Sequence, residues 1–92
     1  ALSGVSIVEL TPALIAHYQL PENIEGVIVR DVAPGSPAHG RLQAGGAIEQ
    51  INDTPVTSPE DFARAVRELA PGEAAVLLLA RGRVRSFEVL AP

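Results

Sequence analysis

The residues of this chain that could perform hydrolytic chemistry are its serines and its two histidines. A catalytic serine needs a histidine base and an oxyanion hole beside it. None of the serines lies in a G-x-S-x-G or G-x-S-G-G sequence; they are Ser3, Ser6, Ser36, Ser58 and Ser86. Ser36 and Ser58 each precede a proline, a pattern typical of a helix N-cap. The sequence therefore predicts that this chain carries no catalytic site.

Metal and cofactor chemistry is equally poorly supported by the sequence. His17 and His39 are isolated and match no metal-binding motif. The chain has no cysteine, which excludes disulfides and thiolate metal sites. Glu60 and Asp61 follow a helix-start signal, where acidic side chains stabilise the positive end of the helix dipole. We predict no metal and no cofactor.

Net charge and the length of the apolar runs argue against two further kinds of partner, nucleic acid and the membrane interior. The net charge is −4, and only three residues are aromatic. Binding to nucleic acid favours a basic surface and uses stacking aromatics, so a nucleic-acid partner is not expected. The longest apolar run, residues 74–80, is far shorter than the ~18 residues of a membrane span. We therefore expect no membrane insertion by this fragment.

The elements that position these residues follow from apolar runs and turn signals. Strands are predicted at residues 5–10, 26–32, 47–51, 55–57, 74–80 and 83–90, the last two as a hairpin. Thr11-Pro12 and Ser58-Pro59 predict helix starts, and Ser36-Pro37 predicts one short helical turn ending near Gly40. Short connections favour antiparallel pairing. The sequence thus predicts one mainly β domain with two helices and a core of aliphatic residues.

Three stretches, in this order, resemble a known family: VELTPALIAHYQLP, then GVIVRDVAPGSPAHGRLQAGGAIEQINDTPV, then SPEDFARAVREL followed by a hairpin. Together they resemble the PDZ domains of bacterial HtrA/Deg serine proteases, in particular a second PDZ domain. The resemblance covers nearly the whole chain. It implies a PDZ-like, partly open antiparallel β-sandwich or barrel with the permuted bacterial strand order. It also implies that residues 1–92 are a single PDZ domain excised from a larger chain, with a trypsin-like serine endopeptidase domain upstream.

The resemblance places the first strand and the Ser58-capped helix side by side, with an extended peptide added along the strand edge. The loop around Gly4 would then turn backbone N–H groups toward the terminal carboxylate of the peptide. An apolar slot beside it would favour Val, Leu, Ile or Phe as the last residue. The implied peptide-binding residues are Leu2, Ser3, Gly4, Val5, Ser6, Ile7, Phe62, Val66 and Leu69.

Periodicity alone does not distinguish a slot from a core. By strand alternation Val5 and Ile7 share one face, while Ser6 and Val8 point the other way. The apolar residues of this strand and of the helix fit packing in a core at least as well as lining a groove. Only the family resemblance favours the groove. Phe62 is the most informative of the set, because an aromatic residue in the first turn of a helix is hard to bury completely.

Two departures from the family pattern affect these expectations. Most relatives have Gly-Asp where this chain has Gly45-Gly46, so the loop before the third strand is expected to be softer. Hydrophobic residues commonly flank the glycine of the carboxylate loop, whereas here Ser3 precedes Gly4. One wall of the terminal pocket is therefore expected to be polar.

Three functions remain open on the sequence. The favoured one is a peptide-binding module that captures extended peptides or hydrophobic C-termini of unfolded proteins for substrate recognition or protease regulation in protein quality control. The second is a structural role, in which the domain packs against the protease and other PDZ domains of the parent chain. The third is a PDZ domain of an intramembrane metalloprotease or a secretion component. The resemblance implies a periplasmic location.

Overall fold

The computed structural model describes residue 2 and residues 4–91 of the chain. The described elements are β1 (Val5–Glu9), α1 (Pro12–His17), β2 (Val27–Val32), β3 (Ala47–Ile51), β4 (Thr54–Pro55), α2 (Pro59–Glu68), β5 (Ala75–Arg81) and β6 (Val84–Leu90). The strands and helices lie where the sequence predicts them, with ends that differ by a few residues. None of these helices is long and apolar enough to cross a membrane.

The six strands form one antiparallel sheet in the order β1-β2-β3-β5-β6, with β4 paired to β3. The pairing of β1 with β2 passes from Ser6 opposite Asp31 to Ile7 opposite Val29. Arg30 is therefore the extra residue of a β-bulge, which increases the local twist. Among the described strands, β1 and β6 are the edge strands at the two ends of this order, and the two-residue β4 is paired only with β3.

Alternate residues of the strands feed two separate cores, one on each face of the sheet. Val27 and Val29 of β2 pack into a core that is closed by α2, whereas Ile28 packs into a smaller core beneath α1. Nearly all the buried residues are aliphatic. In closing its core, α2 also comes into contact with β1, and this contact defines the candidate site.

Both helices begin at the predicted caps. The Thr11 hydroxyl accepts a hydrogen bond from the Leu14 N–H (3.3 Å), and the Ser58 hydroxyl accepts one from the Asp61 N–H (3.1 Å). Each hydroxyl satisfies an N–H group that the helix itself leaves unpaired. The proline that follows has no N–H group and therefore leaves none unpaired.

The third signal is right about the turn and wrong about the cap. The His39 N–H donates to the Ser36 carbonyl (3.1 Å), which closes one short turn, but the Ser36 hydroxyl oxygen is buried without a hydrogen-bond partner. Arg41 and Leu42 both donate their N–H groups to the Ala38 carbonyl (2.9 Å), so a second turn follows the first and no continuous helix forms. The serine-proline pair is shared by turns and helix starts, so sequence alone could not separate them.

Candidate functional site

β1 is an edge strand with β2 on one side and α2 near the other. No strand in the described part of the chain pairs with the α2-facing side of β1. Peptide N–H and C=O groups alternate in direction along a strand, so half of those in β1 point toward this open side. These groups are available to an additional strand.

Half-buried apolar side chains lie where β1 meets α2. Val5 and Ile7 of β1, together with Val66 of α2 and Leu69 at its C-cap, are half-buried and pack on the core closed by α2. We call these four residues the β1–α2 groove. Val8 packs on the opposite core, so the alternation predicted for this strand is confirmed. Half-burial means that each groove residue has apolar surface left for a ligand.

Two of the predicted site residues lie deeper than the groove. Phe62 is only 8% exposed and packs in the core with Ala65. The expectation that an aromatic residue here resists burial is wrong, since helical side chains point back toward the preceding turn and Phe62 thereby reaches beneath α2. Leu2 is also buried, at 4% exposure. Both residues support the floor beneath the groove rather than its exposed walls.

The loop before β1 has the backbone conformation that glycine favours. Gly4 has φ +84°, and its carbonyl accepts a hydrogen bond from the Ala33 N–H at 2.9 Å. The Val5 N–H donates to the Leu2 carbonyl across 3.4 Å, a long and therefore weak bond. That N–H group is thus easily redirected to a stronger acceptor such as a carboxylate. Ser3, also predicted to belong to this loop, lies outside the described residues.

A residue that packs against this loop, Ser36, was not among the predicted site residues. A Cβ atom added at Gly4 would lie 2.8 Å from the Cβ of Ser36 and 3.2 Å from that of Ala33. Ser36 therefore packs directly against the Gly4 loop, with its hydroxyl oxygen buried and unpartnered. No local signal indicates this contact, because it depends on how the turn after β2 folds back onto the chain start.

The outer side of the β1–β2 ribbon carries charge beside the groove. Ser6 is exposed and lies directly opposite the exposed Asp31. The Asp31 carboxylate accepts a hydrogen bond from the Val32 N–H at 3.0 Å. Because Ser6 is small, a long side chain on a strand added next to β1 can reach across it to Asp31. Asp31 was not among the predicted site residues, since its position depends on strand pairing.

The start of α2 is fixed by a carboxylate as well as by its cap. Hydrogen bonds from the Thr57 hydroxyl (2.7 Å) and backbone N–H (3.2 Å) lower the pKa of Asp61 below its ordinary value. Arg64, which forms an ion pair with Asp61, lowers this pKa further. The interaction anchors the first turn of the helix that forms one wall of the groove.

The loop of Gly45 and Gly46, where the chain departs from the family pattern, is hydrogen-bonded to β2. The Gly45 N–H donates to the Val29 carbonyl (2.9 Å), and the Val29 N–H donates to the Gly46 carbonyl (2.8 Å). The Tyr18 ring lies against Gly45, where an added Cβ would be 2.7 Å from the ring. The greater softness expected from the missing aspartate stays a prediction.

The other candidate residues do not assemble into a site. Ser58 is a helix cap, while Ser6 and Ser86 lie on the two edge strands. His17 and His39 are exposed, and no metal-holding group of acidic, histidine or cysteine residues occurs in residues 2 and 4–91. A surface cleft of about 450 Å³ lies between α1 and Arg83, away from the β1–α2 groove.

Comparison with known families agrees with this architecture. A family model described as PDZ domain matches residues 28–81, more than half of the chain, so the chain belongs to the PDZ domain family. The matched part runs from β2 to the end of β5 and includes α2. The predicted mainly β, PDZ-like fold with two helices is confirmed.

Individual relatives show which PDZ domains this chain resembles. Over 78 residues the chain is 33% identical to the probable periplasmic serine endoproteases DegP-like of Brucella suis and Brucella abortus. The alignment covers 85% of this chain but only 15% of those proteins. The crystal structure of the HtrA3 PDZ domain bound to a phage-derived ligand (FGRWV) is similar with a TM-score of 0.77 and 29% identity. That match covers 97% of this chain and 81% of the other. The predicted relation to HtrA/Deg-type PDZ domains is confirmed.

Proposed function

We propose that this domain binds the C-terminal segment of an extended peptide as an additional strand along β1. The observation that carries the proposal is that β1 is an edge strand whose open side faces α2 across half-buried apolar residues. In this arrangement the peptide runs antiparallel to β1. Its carboxylate lies at the Gly4 loop and its last side chain enters the β1–α2 groove.

The energetics of this groove favour a moderate affinity. Burying one aliphatic side chain contributes ~1.5–3 kcal/mol, and the strand hydrogen bonds add affinity without regard to sequence. Ordering a flexible peptide offsets much of this gain, so a short peptide is expected to bind with a Kd of about micromolar. The candidate contact residues remain those predicted: Gly4, Val5, Ser6 and Ile7 along β1, and Val66 and Leu69 on the helix side. Ser3 remains a predicted contact outside the described residues, and the buried Leu2 and Phe62 support the groove from below.

The likeness to proteases supports a wider context. The HtrA3 PDZ domain was solved with a peptide ligand, and the Brucella relatives are named periplasmic serine endoproteases. We propose that this chain is the PDZ part of such an endopeptidase in the periplasm, with catalysis supplied by another domain. There it captures hydrophobic C-termini of unfolded proteins for substrate recognition or protease regulation.

The test is a titration of the isotope-labelled chain with short peptides ending in Val, Leu or Phe, each with a free and an amidated C-terminus. We expect backbone amide shifts at residues 4–7 and 62–69 with the free peptides, and a loss of these shifts on amidation. Saturation is expected at about micromolar to tens of micromolar peptide.

A matched pair of helix variants identifies the site. Val66→Gln places a polar side chain in the groove, whereas Arg67→Gln makes its change on the exposed side of the same helix. Only Val66→Gln should weaken binding. If no peptide shifts these amides even at about millimolar concentration, the groove is not a peptide site and packing against neighbouring domains becomes the better explanation.

A further inference from the structure

The edge strand opposite to β1 is unusually apolar for a surface strand. Val84 (68% exposed), Phe87 (67%) and Val89 (53%) of β6 all project into solvent. No strand in the described part of the chain pairs with the outer side of β6. Exposed edges with apolar side chains readily pair with another strand unless charge, proline or a covering segment prevents it.

The direction of the free backbone groups follows from the pairing of β5. Asn52 donates its N–H to the Val76 carbonyl (2.9 Å), and its side-chain oxygen accepts the Val76 N–H (2.7 Å). Val76 lies opposite Val89, so this pair exchanges no hydrogen bonds and the Val89 groups point outward. With a period of two residues, the groups of Phe87 and Arg85 also point outward.

A side chain contact supports this assignment. Nη1 of Arg41, which is paired with Glu88, lies 3.5 Å from the Val89 carbonyl oxygen. A donor can reach this oxygen from outside the sheet only if the carbonyl faces away from β5. The contact is long, so it gives way to a backbone donor at little cost.

We propose that two copies of this chain pair antiparallel through β6, about a two-fold axis at Phe87. A two-fold axis normal to the sheet keeps each face of the sheet continuous, so residues of like parity lie opposite one another. Phe87 then lies opposite its own copy, and Arg85 lies opposite Val89 of the second copy. The outward N–H and C=O groups of these residues form the ladder between the copies.

The charge pattern of β6 selects this register. An axis at Arg85 or at Glu88 would place two like charges directly opposite each other, which is destabilising. An axis at Ser86 would place the exposed Val84 opposite Glu88 of the second copy. The axis at Phe87 opposes no like charges and stacks the two exposed aromatic rings, an arrangement that stabilises cross-strand pairs.

The experiment is sedimentation equilibrium of the 92-residue chain, from about 10 µM to about 1 mM, a range that brackets a weak dimer. Phe87→Glu places two carboxylates on the axis. Val84→Glu makes the same change at an equally exposed position at the end of the strand, where in this register it lies opposite Leu90 of the second copy and meets no like charge. We expect Phe87→Glu to weaken the dimer at least about tenfold and Val84→Glu to change it less than about threefold.

Amide hydrogen exchange provides an independent measurement. Protection that rises with protein concentration is expected at Arg85, Phe87 and Val89, but not at Ser86 or Glu88, which already bond to β5. A chain that stays monomeric to about 1 mM overturns the proposal. So does a dimer that survives Phe87→Glu, or one whose concentration-dependent protection falls on β1. The last outcome would mean that the copies pair through the peptide groove instead.

Discussion

At the scale of single residues, two glycines with the same φ angle allow the cost of backbone strain to be distinguished from the cost of a steric clash. Gly4 and Gly35 both have φ +84°, a region costly for residues with a Cβ. Only at Gly4 would the Cβ meet other atoms, the nearest being the Ser36 Cβ at 2.8 Å; at Gly35 it would meet nothing within 4 Å. The loop at Gly4 is therefore constrained twice, by its dihedral angle and by close packing.

Gly4→Ala is expected to destabilise the domain by more than the ~1–2 kcal/mol that a left-handed conformation costs, and to abolish carboxylate-dependent peptide binding. Gly35→Ala is expected to cost only the conformational part and to bind peptide normally. Urea denaturation measures the first quantity and the peptide titration the second. Equal losses of stability in the two variants would show that the contact with Ser36 is unimportant.

Asp31 is expected to influence which residue is preferred at the penultimate position of the ligand. If the last ligand residue lies beside Val5, the penultimate one lies beside Ser6, and a Lys or Arg there can reach Asp31. Asp31→Lys is expected to weaken peptides with penultimate Lys about two- to fivefold and to strengthen those with penultimate Glu, as for an exposed ion pair. Glu22→Lys makes the same charge change at the exposed cleft beside α1 and Arg83 and is the control. An identical peptide ranking in both variants would remove Asp31 from the site.

At the scale of elements, most of what the sequence predicts is local. The caps at Thr11 and Ser58, and the alternation that separates Val8 from Ile7, depend on neighbouring residues and are confirmed. The burial of Phe62 and the contact of Ser36 with the Gly4 loop depend on how distant segments pack. The sequence-based predictions are wrong or incomplete at these two points, at the missing cap of Ser36, and at Asp31, whose place beside Ser6 depends on strand pairing.

The first turn of α2 gives a prediction about pH. The pKa of Asp61 is lower in the folded chain than in the unfolded one, because Thr57 and Arg64 stabilise its carboxylate. Its contribution to stability is therefore fully present above the unfolded pKa of about 4 and is lost as pH falls through the lower folded pKa. Asp61→Asn should lower stability at neutral pH and flatten the decline of stability in acid.

Chemical denaturation of both proteins from neutral pH to about pH 2 measures this difference, which should disappear at the acid end. Glu60→Gln removes a neighbouring exposed carboxylate from the same helical turn and is the control. A stability difference for Asp61→Asn that is the same at every pH would contradict the assignment to the carboxylate.

At the scale of the whole molecule, we propose different binding partners for β1 and β6, the strands at the two ends of the sheet order. β1 lies beside α2 and is proposed to receive a peptide, whereas no helix of the described residues packs extensively on β6, which is proposed to receive a second copy. The strands between them contribute side chains to both cores. The order of strands in the sheet that separates these edges comes from long-range pairing and entered the sequence analysis only through the family resemblance.

Peptide binding at one edge should therefore raise the stability of the whole domain. A ligand at about 100 times its Kd stabilises the folded state by about 2.7 kcal/mol, and a domain of this size gains about 4–8 °C in Tm per kcal/mol. We expect a rise in Tm of roughly 10–20 °C with a Val-terminated peptide, and almost none with its amidated form or with Gly4→Ala. An open groove responds to peptide in this way, whereas a groove already filled by another segment does not, because the added peptide must first displace that segment. A Tm that stays unchanged at saturating free peptide would therefore favour the assembly role, and in that case the apolar edge of β6 would be the surface to examine for packing between domains.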